Sequence, residues 1–183
     1  MANNDPTATS RSEAPIEAIA RHVQDLPNGE RAQLRRSYLT GRYEAEGIVA
    51  RLLVQADVAI SPRSDAFNRW KMLVHCAAVL SGTGRKGASP HARGNSFGAA
   101  LFQAGLKENR MLRLTSARGR MFDSLLVQTI RRLAQQGVGP VDLYTIFGLL
   151  SDRDDKAEEA RLRVARDFYT ADARSKKETA SDD

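Results

Sequence analysis

Apolar side chains recur three and four residues apart along most of the chain, and short alternating Val/Ile/Tyr runs are missing, so the pattern predicts helices throughout. The first predicted helix begins at Ser12, with Glu13 and Pro15 in its first turn and Ile16, Ile19, Val23 and Leu26 along one face. Pro27-Asn28-Gly29 breaks it, and Asn28 can cap a short second helix that carries Ala32, Leu34, Arg35 and Arg36. After Gly41 a third helix is expected over residues 44–58, with Ile48, Leu52 and Leu53 inward. The turn Ser61-Pro62-Arg63-Ser64 leads into a strong helix whose stripe is Phe67, Trp70, Leu73, Val74, Ala77 and Leu80.

Between Ser81 and Asn95 the pattern stops. This stretch holds four glycines, one proline and four basic or histidine residues, with nothing large to bury, and reads as a mobile basic loop between two parts of the molecule. Helical spacing resumes with Phe97, Ala100 and Leu101 and closes at Gly105. A short helix is expected over residues 108–114, then a longer one burying Phe122, Leu125, Leu126, Thr129, Ile130 and Leu133. Gly137-Val138-Gly139-Pro140 ends that helix, and Pro140 suits the first turn of the next, which bears Leu143, Tyr144, Phe147 and Leu150. The last helix is expected over residues 156–170, burying Leu162, Val164, Ala165 and Phe168. The resulting expectation is an all-α fold of two small helical lobes joined by a Gly-rich basic loop. Its parts are a flexible tail (1–12), an N-terminal lobe (13–80), the loop (81–95), a C-terminal bundle (96–170) and a second tail (171–183).

Composition narrows the function classes. Hydrophobic residues make up 42% of the 183, enough for a real core. No apolar run approaches the roughly 18 residues of a membrane-spanning helix, and the polar N-terminus lacks a signal-peptide core, so a cytoplasmic protein is expected. Cys76 is the single cysteine, which leaves no internal disulfide and no zinc ribbon.

The distribution of charge says more than the net +6. Residues 61–140 hold thirteen Lys/Arg against three Asp/Glu, whereas residues 1–60 hold seven against eight and residues 141–183 eight against eleven. Arginine supplies 22 of the 28 basic residues, and its planar fork suits phosphate. A basic middle almost without compensating acids points to nucleic acid.

The chemistry of catalysis is missing. Gly82-Thr83-Gly84-Arg85-Lys86-Gly87 has the letters of a dinucleotide fingerprint, but it follows a predicted helix and leads into more loop, so no cofactor is expected. His22, His75 and His91 have no partners at metal-ligand spacing. The acids Asp152, Asp154, Asp155, Glu158 and Glu159 crowd a predicted helix start, where they favour the helix dipole. Trp70, Phe122, Phe147 and Phe168 all fall on apolar stripes and read as core. No metal and no enzymatic activity are expected. The basic residues are spread over several helices and a loop, which fits backbone contact without sequence choice.

Several segments, taken in order, resemble the small subunit (CasB) of the type I-E CRISPR interference complex. They are Leu26 to Arg36, the turn Ser61-Pro62-Arg63 before the Trp70 helix, Asn95 to Leu101 with Glu108-Asn109-Arg110, Leu126 to Leu133 with Arg131-Arg132, and Ala165-Arg166-Asp167-Phe168-Tyr169. Two positions depart from the family, Ala99 where a basic residue is frequent and Val164 where tryptophan is, and Leu114 to Arg120 aligns in more than one way. The resemblance implies a two-lobed helical subunit, present in two copies beside the backbone and large subunits. It would hold target and displaced DNA strands while guide RNA reads the sequence, stabilising the R-loop. By position it implicates Arg36, Arg63, Arg118, Arg131, Arg132 and Arg153; charge alone adds Arg85, Lys86 and Arg93. Two other readings stay open: a free-standing helical DNA-binding regulator, using Glu30–Arg36 or Phe122–Arg132 as its recognition element, and an arginine-rich scaffold that contacts only protein.

Overall fold

A computed structural model describes residues 13–40, 44–61, 64–82 and 88–181. Among the described residues there are nine helices: α1 (Glu13–Asp25), α2 (Asn28–Thr40), α3 (Glu44–Gln55), α4 (Asp65–Leu80), α5 (Phe97–Gln103), α6 (Glu108–Ser116), α7 (Gly119–Gln135), α8 (Leu143–Leu149) and α9 (Asp154–Ser181). Among the described residues the nearest thing to a strand is an isolated parallel bridge between His91 and Val141. The fold is all-α, as the periodicity predicts.

Local chemistry sets several boundaries. Ser64 Oγ accepts the Phe67 amide at 3.1 Å to open α4, Ser96 Oγ accepts that of Ala99 at 3.3 Å to open α5, and Asp142 Oδ1 accepts that of Tyr144 at 3.0 Å to open α8. Pro140 therefore stands before α8 rather than in its first turn. α3 stops short of Val58 because Asp57 adopts a φ of +55°, a left-handed conformation that Asp tolerates better than most residues.

The predicted stripes meet in one buried cluster that runs from Ile16 to Phe168. Each large side chain so buried contributes about 1.5–3 kcal/mol. α4 is the central element, nearly all of its residues from Trp70 to Leu80 being buried, and α1, α2, α3, α7 and α8 pack on it. Trp70 meets Phe147 of α8 at a ring separation of 4.4 Å. Arg35 fastens α2 to the end of α4: its Nε donates to the Ala78 carbonyl at 2.8 Å, a carbonyl left open by the helix terminus. α9 lies along α5, α8 and α6.

Two expectations for α9 need correction. Leu162 is 71% exposed, because it follows the buried Arg161 and lies about 200° around the helix from Val164. The helix also continues to Ser181 where a flexible tail was expected from residue 171. Ala, Arg, Lys and Glu there are good helix formers, and Asp172 pairs with Lys176 one turn on at 2.7 Å.

Residues 88–95, the described end of the basic stretch, are fastened to the segment before α8. Ala92 donates to the Val141 carbonyl at 3.1 Å, Val141 to that of Pro90 at 3.2 Å and Asp142 to that of Asn95 at 2.8 Å. His91 Nδ1 accepts the Leu143 amide at 3.1 Å.

Candidate nucleic-acid interface

The basic residues fall into two groups, those neutralised by an acid of the same chain and those that are not. Arg153 is bidentate on Asp155, with Nη2 and Nε at 2.8 and 3.3 Å from its two oxygens, and the pairing holds that carboxyl below its ordinary range. Arg93 donates to Glu17 at 2.8 Å and to the Tyr144 hydroxyl at 3.3 Å, with its guanidinium 5.1 Å from the Tyr144 ring centre. Arg69 is held by Asp152 and Lys71 by Glu46. Arg118 is the most occupied. Its Nη1 donates to the carbonyls of Thr115, Ser116 and Ala117 at 3.1, 2.8 and 3.0 Å, closing the C-terminus of α6, while its Nη2 pairs with Glu158 of α9. Glu158 also takes Arg161 Nη1 at 3.0 Å, and the Arg161 guanidinium lies over the Phe122 ring.

Four members of the second group gather where α6 faces α7. Arg110 and Arg113 on α6 and Arg132, Gln128 and Gln135 on α7 line a groove of about 370 Å³ floored by Leu106, Leu125 and Thr129. Lys107 and Asn109 extend it past Gly105, beside Arg110 and Arg132. No acid lines either part. Lys107, Arg110, Arg113 and Arg132 form no ion pair with any described residue. Arg132 is set by a hydrogen bond from Nη2 to the Gly105 carbonyl at 3.3 Å. Glu108, the acid on α6, is turned to α9, where the Tyr169 hydroxyl donates to it at 2.7 Å.

Of the residues singled out from sequence, Arg132 lines this groove. Arg131, its neighbour on α7, has Nη2 buried. Arg36 is exposed on α2, its Nε 3.2 Å from the Ala32 carbonyl. Arg93, Arg118 and Arg153 carry the ion pairs just described. Arg63, Arg85 and Lys86 lie outside the described residues. Lys107, Arg110 and Arg113 were missed, although their spacing of three marks a basic stripe down one helix face.

Catalytic chemistry finds little here. Cys76 is fully buried, and burial, with Asp123 nearby, pushes its thiol up to about 12. Among the described residues no group of three or more His, Cys, Asp or Glu could hold a metal ion. No described helix is long and apolar enough to cross a membrane.

A family model described as CRISPR-associated protein Cse2 matches residues 30–169, most of the chain. The chain belongs to the Cse2 family. Neither a curated protein nor a solved structure matched it. Cse2 is the small (CasB) subunit of the type I-E interference complex, Cascade, in agreement with the resemblance read from the sequence. The matched span contains both walls of the α6–α7 groove.

Proposed function

We propose that this Cse2 chain is a non-catalytic subunit that holds nucleic-acid backbone in the α6–α7 groove and thereby stabilises the R-loop of the interference complex. One observation carries the reading: Lys107, Arg110, Arg113 and Arg132 converge with no acid among them, while the basic residues elsewhere in the C-terminal half are largely paired internally. A guanidinium–phosphate contact is worth about 1.5–3 kcal/mol when well formed and less when solvent-screened. R-loop formation exchanges one duplex for another of similar stability, so a few such contacts tip it. Sequence choice is left to the guide RNA.

In this role the subunit works in the cytoplasm beside a second copy of itself and the backbone and large subunits, touching target and displaced DNA strands. Arg36, exposed on α2, and the sequence-implicated Arg63, Arg85 and Lys86 are further candidate contacts, with Arg131 set deeper. Arg93, Arg118 and Arg153 contribute less because their charge is already met.

The test is to assemble the complex with Lys107, Arg110, Arg113 and Arg132 all replaced by Ala, confirm stoichiometry, and measure opening of a matched target duplex. Normal assembly with weakened opening is expected. A mutant that fails to incorporate supports the protein-only scaffold instead, and one that opens DNA normally removes the groove from the mechanism.

A further inference from the structure

The groove between α6 and α7 carries more than charge. Along α7, Met121, Leu125, Gln128, Arg132 and Gln135 follow one another at helical spacing and so share one face. All but Met121 line the groove together with Arg110 and Arg113 of α6. Met121 continues the same stripe toward the turn between the two helices and is 66% exposed. A site for phosphate alone asks only for cations and hydrogen-bond donors. Here apolar side chains run between the arginines, with Leu106 beside Leu125 on the floor. The amides of Gln128 and Gln135 form no hydrogen bond with any described residue.

An apolar strip, free amides and uncompensated guanidinium groups match the three parts of a nucleotide, which are the flat base, its polar edge and the phosphate. In a duplex the faces of a base are covered by its neighbours, so only an unpaired base can lie on such a strip. The groove, at about 370 Å³, falls in the range of about 300–1,000 Å³ common for sites that take a small molecule. We propose that it seats an unpaired nucleobase: Met121 and Leu125 lie against the face, Gln128 bonds the edge, and Arg110, Arg113 and Arg132 hold the flanking phosphates. Every base has such a face, so contact there needs no sequence choice. The seat rests on the nucleic-acid reading above and extends it from backbone to base, and so to a single strand over a duplex.

The test compares two strands of equal length and charge, a labelled oligothymidine and its abasic counterpart, by fluorescence anisotropy with the full chain. The wild type should bind the thymidine strand about fivefold more tightly, the low end for a base contact. Met121→Ala and Gln128→Ala, both at exposed positions that leave the core intact, should bring that ratio toward one without changing the slope of log affinity against log salt. Arg113→Ala should weaken both strands by the same factor and lower the slope by about 0.7, one phosphate contact. Equal affinity of the wild type for the two strands overturns the base seat and leaves the backbone reading standing. A full ratio in both Met121→Ala and Gln128→Ala also overturns it, because the base would then lie elsewhere. Binding of neither strand removes the functional reading itself, and the seat with it.

Discussion

Gly98 of α5 lies so close to Val164 of α9 that a β-carbon on it would stand 2.2 Å from the Val164 carbonyl oxygen and 2.8 Å from the Phe168 amide nitrogen. Both atoms belong to the backbone of α9 and cannot rotate aside as a side chain could. Gly98→Ala must therefore push the two helices apart along their closest approach. The expected cost is about 3 kcal/mol in chemical denaturation, at the upper end for overpacking because the obstacle is main chain. A loss below about 0.5 kcal/mol, the range of an ordinary surface change, would mean that α5 slides freely on α9.

Groove charge should be read most directly by salt. Each of Arg110, Arg113 and Arg132 that contacts a phosphate adds about 0.7 to the slope of log affinity against log salt for a single strand. Their single Ala variants should each lower the slope by that amount, measured by fluorescence anisotropy. Arg153→Ala should leave it almost unchanged, because Asp155 already meets that charge. Equal losses at Arg153 and Arg110 would show that internal pairing does not sort these residues.

Arg118 should behave as a structural residue. Its fork closes three carbonyls of α6 and reaches Glu158 at once, a geometry that a lysine's single ammonium cannot reproduce. Arg118→Ala and Arg118→Lys should both lose about 1 kcal/mol in urea unfolding, a figure discounted for a side chain 52% exposed. The salt slope of nucleic-acid binding should change little in either. Full retention of stability in Arg118→Lys would refute the capping role.

The fold also predicts a pH dependence. Burial lowers the pKa of His75 from 6.5, so between that value and its folded pKa the unfolded chain binds a proton that the native chain does not. Stability from this group is present above pH 6.5 and is lost as pH falls, with a limiting slope of about 1.4 kcal/mol per pH unit for one proton. Asp123 acts in the opposite sense, since burial raises its carboxyl and favours the native state at lower pH. Its window runs upward from 3.8, whereas that of His75 runs downward from 6.5. Denaturant midpoints between pH 7.5 and 5.5 should fall for the wild type and stay flatter for His75→Gln. Parallel curves would locate the effect elsewhere.

The parts legible in the sequence are those where one helix carries the whole signal. The stripe from Phe67 to Leu80 is buried as its spacing predicts, and Ser64 and Ser96 cap where a serine before a helix should. Leu162 is hydrophobic but out of phase with the core: Arg161 occupies the buried angle, with its guanidinium over Phe122, and leucine is turned out. The ion pairs divide in the same way. Arg153 and Asp155 are two residues apart, a pairing local enough to show in the sequence, whereas Arg118 and Glu158 are forty apart and Arg93 and Glu17 seventy-six apart. Only packing reveals which arginines remain uncompensated. Arg110 and Arg113 form a visible stripe, but its apposition to Arg132 exists only once α6 and α7 are side by side.

The length of α9 gives the molecule a direction. Its core residues end at Phe168, yet the helix goes on to Ser181, so thirteen more residues, roughly 20 Å at 1.5 Å per residue, carry it beyond the core, with Tyr169 still bonded to Glu108 of α6. A spin label or fluorophore on that arm would turn with the α5–α9 layer rather than tumble on its own. It would report, as an angle, how the subunit tilts when its surroundings change.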